Sequence, residues 1–169
     1  MISPELIVGI GLLIVILLLA VAFRRRPPTY TYVQEAPLFT DAETAFLEEL
    51  DAALPESLRL FGKVRIADIL QPAAGLDRST WRTAFNRIAA KHVDYLLCDR
   101  DTLEPVLAVE LDDASHARAD RSERDEFLDL AFEQAGLPLL RVPAAARYDQ
   151  QALHDAIEDA ASAGPALRR

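Results

Sequence analysis

Carboxylates crowd the end of an apolar stretch in the second half of the chain. The stretch at residues 106–116, VLAVELDDASH, begins as an apolar strand and ends in acidic residues and one histidine. A second apolar stretch, at residues 92–98, carries Asp94 within it. Ionised carboxylates at the ends of neighbouring buried strands are costly unless they are hydrogen-bonded, paired with cations or bound to a metal. This cost predicts a functional site where the two strands meet.

The spacing of the acidic residues predicts which of them share a face. Side chains two residues apart on a strand point the same way, so Glu110 and Asp112 project together. Asp94 on the neighbouring strand could approach Glu110 if the two strands are antiparallel. An all-oxygen ligand set favours Mg²⁺ or Mn²⁺ over Zn²⁺. We therefore predict a metal site with Asp94, Glu110 and Asp112 as its ligands.

One histidine extends this chemistry. His116 lies just past the predicted strand and could act as a general base or acid. A Mg²⁺ held by the carboxylates could orient a water molecule and neutralise charge that builds on a phosphate. The alternative is a purely structural role, since acidic residues commonly follow a strand in a surface loop.

The charge of the chain argues against one broad class of function. Because the net charge is −9 over 169 residues, we do not expect a protein that coats nucleic acid without specificity. The distribution is uneven: residues 57–93 carry seven basic and two acidic side chains, whereas residues 94–133 carry thirteen acidic side chains and four arginines. A basic segment beside an acidic one suits a site for a cation and an anionic substrate. Two ordinary solvated faces would give the same pattern.

The N-terminal residues form a long apolar run. Residues 6–23 are eighteen consecutive uncharged positions, enough for a helix across a bilayer core, and we predict a transmembrane helix over residues 5–23. Three arginines follow at 24–26, which predicts an N-terminus outside the cell and a cytoplasmic soluble part. A cleaved signal peptide is the alternative, but its basic residues would precede the apolar run. Residues 24–38, rich in proline, read as a juxtamembrane linker.

Local patterns predict alternating helices and strands over residues 39–161, followed by a loose tail at 162–169. Thr40 and Glu43 form a capping box at the start of the first helix. An apolar hairpin of two strands precedes an amphipathic helix over residues 121–135 and a further short apolar strand. The order α-β-α-β-β-α-β-α predicts an α/β fold with a mixed β-sheet flanked by helices.

Two strings link these residues to known families: K-H-V-D, which begins at Lys91, and E-L-D-D-A-S-H, which begins at Glu110. Together with an α-β-β-β-α-β core order, they resemble the PD-(D/E)XK nuclease superfamily, and most closely its very-short-patch-repair-like branch. The strings also resemble a bacterial domain family of unknown function, whose members often follow a membrane helix or adjoin a topoisomerase-type zinc finger. The resemblance covers about residues 38–142 and implies a restriction-endonuclease-like fold.

The resemblance assigns roles by position. Asp94 matches the aspartate of the PD motif, with a valine in place of the proline, and Glu110 matches the acidic residue of (D/E)XK. Asp112 stands where the motif lysine belongs, so Lys91 or His116 would have to supply its charge or its proton transfer. Lys91 could equally form a salt bridge with the acidic cluster.

Further residues enter as secondary candidates. Glu43 matches a helix position where many superfamily members place another carboxylate, although its role in the capping box is sufficient by itself. The arginines that could contact nucleic-acid phosphates could instead be solvated or ion-paired: Arg65, Arg82, Arg87, Arg118 and Arg121.

The resemblance implies a Mg²⁺-dependent nuclease, anchored in the bacterial inner membrane, that hydrolyses DNA phosphodiester bonds. One alternative is an inactive member of the same fold that binds nucleic acid or a protein partner at that membrane. Another is a structural or adaptor domain whose carboxylates pair with arginines.

Overall fold

The computed structural model describes residues 3–22, 30–35, 37–112 and 118–164. The chain divides into two compact units, Met1–Ala36 and Pro37–Arg169. In the first unit, helix α1 spans Pro4–Ala22, and residues 30–35 form neither helix nor strand.

None of the helices that the structure describes combines the length and the apolar character needed to cross a membrane. The transmembrane helix predicted over residues 5–23 is therefore unsupported. The apolar run does form a helix, α1, which ends at Ala22. The predicted arginine flank at 24–26 lies outside the described residues.

The second unit is built on a four-stranded mixed sheet, which confirms the predicted α/β class. Its strands lie side by side in chain order, with β1, β2 and β3 antiparallel and β4 parallel to β3. The strands are β1 (Leu58–Arg65), β2 (His92–Asp99), β3 (Pro105–Asp112) and β4 (Leu139–Pro143). The helices are α2 (Asp41–Ala52), α3 (Ile66–Ile69), α4 (Arg78–Ala89), α5 (Arg118–Ala135) and α6 (Gln150–Ser162).

Each connection has a local cause. The β2–β3 hairpin turns at Asp99, whose carboxylate accepts hydrogen bonds from the amides of Asp101 and Thr102 at 3.0 and 2.8 Å. Leu103 takes the left-handed conformation, with φ 61, that brings the chain back into β3. Because β4 is parallel to β3, the chain must cross over between them, and α5 forms that crossover.

Two hydrophobic clusters, one on each face of the sheet, hold the helices. Alternate residues of β2 divide between them, since successive strand side chains point to opposite faces. Tyr95 and Leu97 belong to the cluster that includes residues of α2 and α6. Leu96 and Cys98 belong to the cluster that includes residues of α4 and α5, where burial raises the pKa of the Cys98 thiol.

Substitution of one core aromatic tests this packing. Phe46 is fully buried and lies against Tyr95 and Tyr148, with ring centroids 5.6 and 4.9 Å away. We expect Phe46→Ala to lower the free energy of unfolding by about 3–5 kcal/mol, because it removes buried apolar area and leaves a cavity. The measurement is urea unfolding of the full chain followed by circular dichroism.

Trp81→Ala is the matched control. Trp81 is 40% exposed, so its removal should cost no more than about 1 kcal/mol. Equal losses for the two variants would contradict the assignment of Phe46 to the core.

Candidate functional site

Lys63 is the centre of the site, and its backbone is unusual. In β1 its φ is 51, a left-handed conformation that costs a side-chain-bearing residue about 1–2 kcal/mol. The register pairs Gly62 with Tyr95 and Val64 with Val93, which sets Lys63 opposite Asp94. Strain of this kind persists only where surrounding contacts hold it, and such residues are enriched at functional sites.

The side chain of Lys63 bridges two carboxylates. Its Nζ lies 2.7 Å from Glu43 Oε1 and 2.8 Å from Asp94 Oδ1. The three side chains are only 24%, 16% and 14% exposed, in the order Lys63, Glu43, Asp94. Both contacts are charge-assisted hydrogen bonds, which are stronger than neutral ones. One ammonium therefore joins α2, β1 and β2.

Glu43 serves two purposes at once. The capping box is present: Thr40 N donates to Glu43 Oε2 at 2.9 Å, and Glu43 N donates to Thr40 Oγ1 at 3.3 Å. The other carboxylate oxygen, Oε1, accepts from Lys63. Capping fixes the start of α2 and so fixes the carboxylate that faces Lys63. The capping role alone does not account for this residue.

Asp94 ties the site to the third strand. Its second oxygen, Oδ2, accepts a hydrogen bond of 3.0 Å from the amide of Leu111. The paired residues of β2 and β3 nearest this end are Tyr95 and Val109, so the Asp94 side chain takes the place of a backbone acceptor just beyond them. This contact holds the carboxylate beside the peptide that follows Glu110.

Aromatic side chains surround the ion pair. Phe39 stacks on Tyr95 with centroids 5.6 Å apart, and its ring centroid lies 5.6 Å from Lys63 Nζ. Gly62 makes room for that ring, because a Cβ at this position would collide with Phe39. The Tyr95 hydroxyl donates to the Glu43 carbonyl at 2.5 Å. Burial, with the negative charges of Asp94 and Glu43, raises the pKa of Tyr95.

The partners of Lys63 keep it protonated. Burial opposes its charge, but the hydrogen bonds and charges of Asp94 and Glu43 outweigh burial, so the pKa of Lys63 is raised. At neutral pH the group is therefore an ammonium. It can donate hydrogen bonds and stabilise negative charge, but it cannot act as a general base.

Asp112 lies in a different set of contacts. Its Oδ1 is 3.3 Å from Arg141 Nη1, and Arg141 Nε donates to Asp129 at 3.0 Å. Arg141 is also the register partner of Glu110 across the parallel pair of β3 and β4. The acidic face of β3 thus meets an arginine of β4.

The predicted three-carboxylate metal site is not formed by the part of the chain that the structure describes. Within that part, no three histidine, cysteine, aspartate or glutamate side chains come together as a potential metal site. Asp94 pairs with Lys63 and Asp112 pairs with Arg141. These pairings place Asp94 and Asp112 in separate sets of contacts, and the metal itself stays a prediction.

The lysine that meets Asp94 is not the one that the sequence suggested. Lys91 joins α4 to β2, where its amide donates to the Ile88 carbonyl and its own carbonyl accepts from Ile66 N. It makes no ion pair with any described side chain. His116 lies outside the described residues. The chain has sixteen arginines but only two lysines, and this rarity marks Lys63 and Lys91 equally, so it did not distinguish between them.

The arginines predicted to contact nucleic acid lie in different surroundings. Arg65 forms an ion pair with Asp68, and the Arg87 guanidinium lies 4.0 Å from the centroid of the Phe127 ring. Arg82 is exposed and pairs with no acidic side chain in the described ranges. Arg118 and Arg121 belong to α5, but their side chains lie outside the described part.

Comparison with known protein families gives a match over most of the chain. A family model with the description "Protein of unknown function (DUF2726)" matches residues 35–161. No match was found among the curated proteins or among the solved structures.

Removal of the Lys63 ammonium tests the bridge. We expect Lys63→Met to lower the free energy of unfolding by about 1–3 kcal/mol, between the values for exposed and buried pairs, because two part-buried carboxylates lose their cation. Lys91→Met is the matched control and should change stability by no more than about 0.5 kcal/mol. Urea unfolding measures both, and equal effects would contradict the central place of Lys63.

The raised pKa values predict a loss of stability in alkali. A raised pKa contributes stability that is complete below the group's ordinary value and disappears as the pH rises through the folded-state value. The ordinary values are 10.5 for Lys63 and 10.0 for Tyr95, so the melting temperature should fall above about pH 10. Lys63→Met and Tyr95→Phe should each show a shallower fall than the wild type between pH 9 and 11. Parallel curves for all three proteins would contradict both assignments.

Proposed function

We propose a nuclease-like function for this chain, which belongs to the family described as "Protein of unknown function (DUF2726)". The proposed reaction is hydrolysis of DNA phosphodiester bonds. The site consists of Lys63, Glu43, Asp94 and Glu110. Lys63 takes the place that the resemblance would give to a lysine at position 112.

One observation carries the proposal: the Lys63 ammonium is held by Glu43 and Asp94, and Asp94 is held in turn by the amide that follows Glu110. A positioned cation stabilises the negative charge that develops on a phosphate during attack by water. A nearby carboxylate can accept the proton of that water. We assign the first role to Lys63 and the second to Glu110, with Glu43 and Asp94 as positioning residues.

The order of elements supports the same proposal. From α2 onward, the helix, the three antiparallel strands, the crossover helix α5 and the parallel strand β4 follow the α-β-β-β-α-β order of the superfamily. Helices α3 and α4 are inserted between β1 and β2. Fold analogy alone does not establish an activity, so the proposal depends on the Lys63 contacts.

The cofactor and the location stay predictions. Mg²⁺ or Mn²⁺ would supply further charge neutralisation, but the described carboxylates do not form the predicted ligand set. The roles assigned above therefore use only side chains of the chain itself. A place at the bacterial inner membrane depended on the unsupported transmembrane helix and has no part in the proposal.

A specific observation also favours a second candidate, an inactive module that binds nucleic acid or a protein partner. Lys63 satisfies both Glu43 and Asp94, and Arg141 joins Asp112 to Asp129. An internally paired arrangement of this kind occurs in purely structural ion-pair networks as well as in active sites. A DNA cleavage assay distinguishes the two candidates.

The test is cleavage of single-stranded and duplex DNA by the full chain, with Mg²⁺, with Mn²⁺ and with a chelator. We expect Lys63→Met and Glu110→Gln each to lower the cleavage rate by about 100-fold or more, because each removes a group that acts on the reacting phosphate or water. Lys91→Met and Asp112→Asn are the matched controls, one lysine and one carboxylate outside the bridge, and should retain most of the rate.

The controls also decide what each failure means. Circular dichroism must show that every variant is folded at the assay temperature. Cleavage that survives both Lys63→Met and Glu110→Gln would overturn the assigned site. If the wild type cleaves under none of the conditions but binds DNA, the second candidate replaces the first.

A further inference from the structure

Helix α4 has the opposite charge to the chain as a whole. It contains three arginines and no acidic residue, whereas the net charge of the chain is −9. Its N-cap Asp77 has its carboxylate turned to the helix start, where it accepts from the amides of Ser79 and Thr80. Arg78 and Arg82 are exposed and form no ion pair with any side chain in the described ranges. The first half of α4 is therefore a locally cationic surface.

Two aromatic rings lie on the same surface. Trp81 and Phe85 are one helical turn apart and stack, with ring centroids 5.1 Å apart and planes 9° from parallel. The residue that α4 buries is Ile88, and Trp81 stays 40% exposed. The indole covers Phe85 with one face and is not needed to fill the core. Part of Trp81 therefore stays accessible to solvent.

We propose that Arg78, Trp81, Arg82 and Phe85 form a stacking platform for single-stranded DNA. An unpaired base would extend the stack of Phe85 and Trp81, and the two arginines would contact the flanking phosphates. Charge complementarity selects a polyanion, and the aromatic stack selects one that carries flat rings. A duplex hides the faces of its bases, so single strands are preferred.

The platform deepens the proposed function and rests on it for the choice of DNA. Helix α4 ends at Ala89 and β2 begins at His92, so only two residues connect the helix to the strand that carries Asp94. The platform and Asp94 therefore belong to consecutive elements of the chain. The inferred substrate of that site is therefore unpaired DNA.

The chain supplies its own probe, because Trp81 is its single tryptophan. Titration of the full chain with an oligothymidylate of about 12–16 nucleotides, a length within the range of single-strand sites, should quench the tryptophan fluorescence in a saturable way. The affinity should fall as salt is added, since bound phosphates release counterions. Quenching by polyglutamate at equal charge concentration, or equal binding of duplex DNA, would overturn the proposal.

Variants locate the contact, with binding followed by the anisotropy of a labelled oligonucleotide. Trp81→Ala should weaken binding about tenfold or more, the loss expected for one stacked base, whereas Trp81→Phe should retain most of it. For Arg82→Gln, the plot of log affinity against log salt concentration should be less steep, with a slope smaller in magnitude by about 0.7. Arg65→Gln is the matched control, because Arg65 is already paired with Asp68. Unchanged binding in Trp81→Ala would overturn the proposal.

The platform and the nuclease proposal fail separately. Binding that depends on Trp81, without cleavage by the wild type, leaves the platform in place and removes the catalytic assignment. Cleavage that is equally fast in Trp81→Ala and in the wild type, without fluorescence quenching, removes the platform and leaves the catalytic assignment in place.

Discussion

The bridge from Lys63 to Glu43 and Asp94 is the interaction on which the site depends. Lys63 lies 20 positions from Glu43 and 31 positions from Asp94 in the sequence. Each carboxylate binds Lys63 with one oxygen and makes a further hydrogen bond with the other. Glu43 caps α2 with that oxygen, and Asp94 holds the amide of Leu111 on β3. One ammonium thus fixes a helix start and the ends of three strands relative to one another.

This arrangement combines two costs with two compensations. The lysine loses hydration on partial burial and its backbone adopts a positive φ. Two charge-assisted hydrogen bonds offset the first cost, and the packing of Phe39 over Gly62 and against Tyr95 holds the surrounding backbone. Apolar residues alone could pack against the sheet without a strained backbone. This strained, protonated lysine among carboxylates is the observation on which the proposed chemistry with phosphate rests.

Charge is distributed in a way that the net value conceals. The chain is acidic as a whole, yet α4 is cationic and carries an aromatic stack. Lys63 pairs with Glu43 of α2 and Asp94 of β2, and Arg141 pairs with Asp112 of β3. An overall negative charge disfavours indiscriminate attachment to nucleic acid, and a small cationic aromatic surface gives selectivity. The proposed platform would confine nucleic-acid binding to this one cationic surface.

The sequence by itself determined what depends on neighbours in the chain: the capping box at Thr40 and Glu43, the hairpin of two apolar strands, and the α/β order of the elements. The partner of each charged side chain was decided by the tertiary structure. Glu110 and Asp112 lie two residues apart on β3, yet Arg141 of β4 pairs with Asp112, and Lys63 rather than Lys91 meets Asp94. These pairings follow from strand register and from one left-handed residue in β1. Register is set by the packing of both sheet faces at once, so no local pattern records which charges will be brought together.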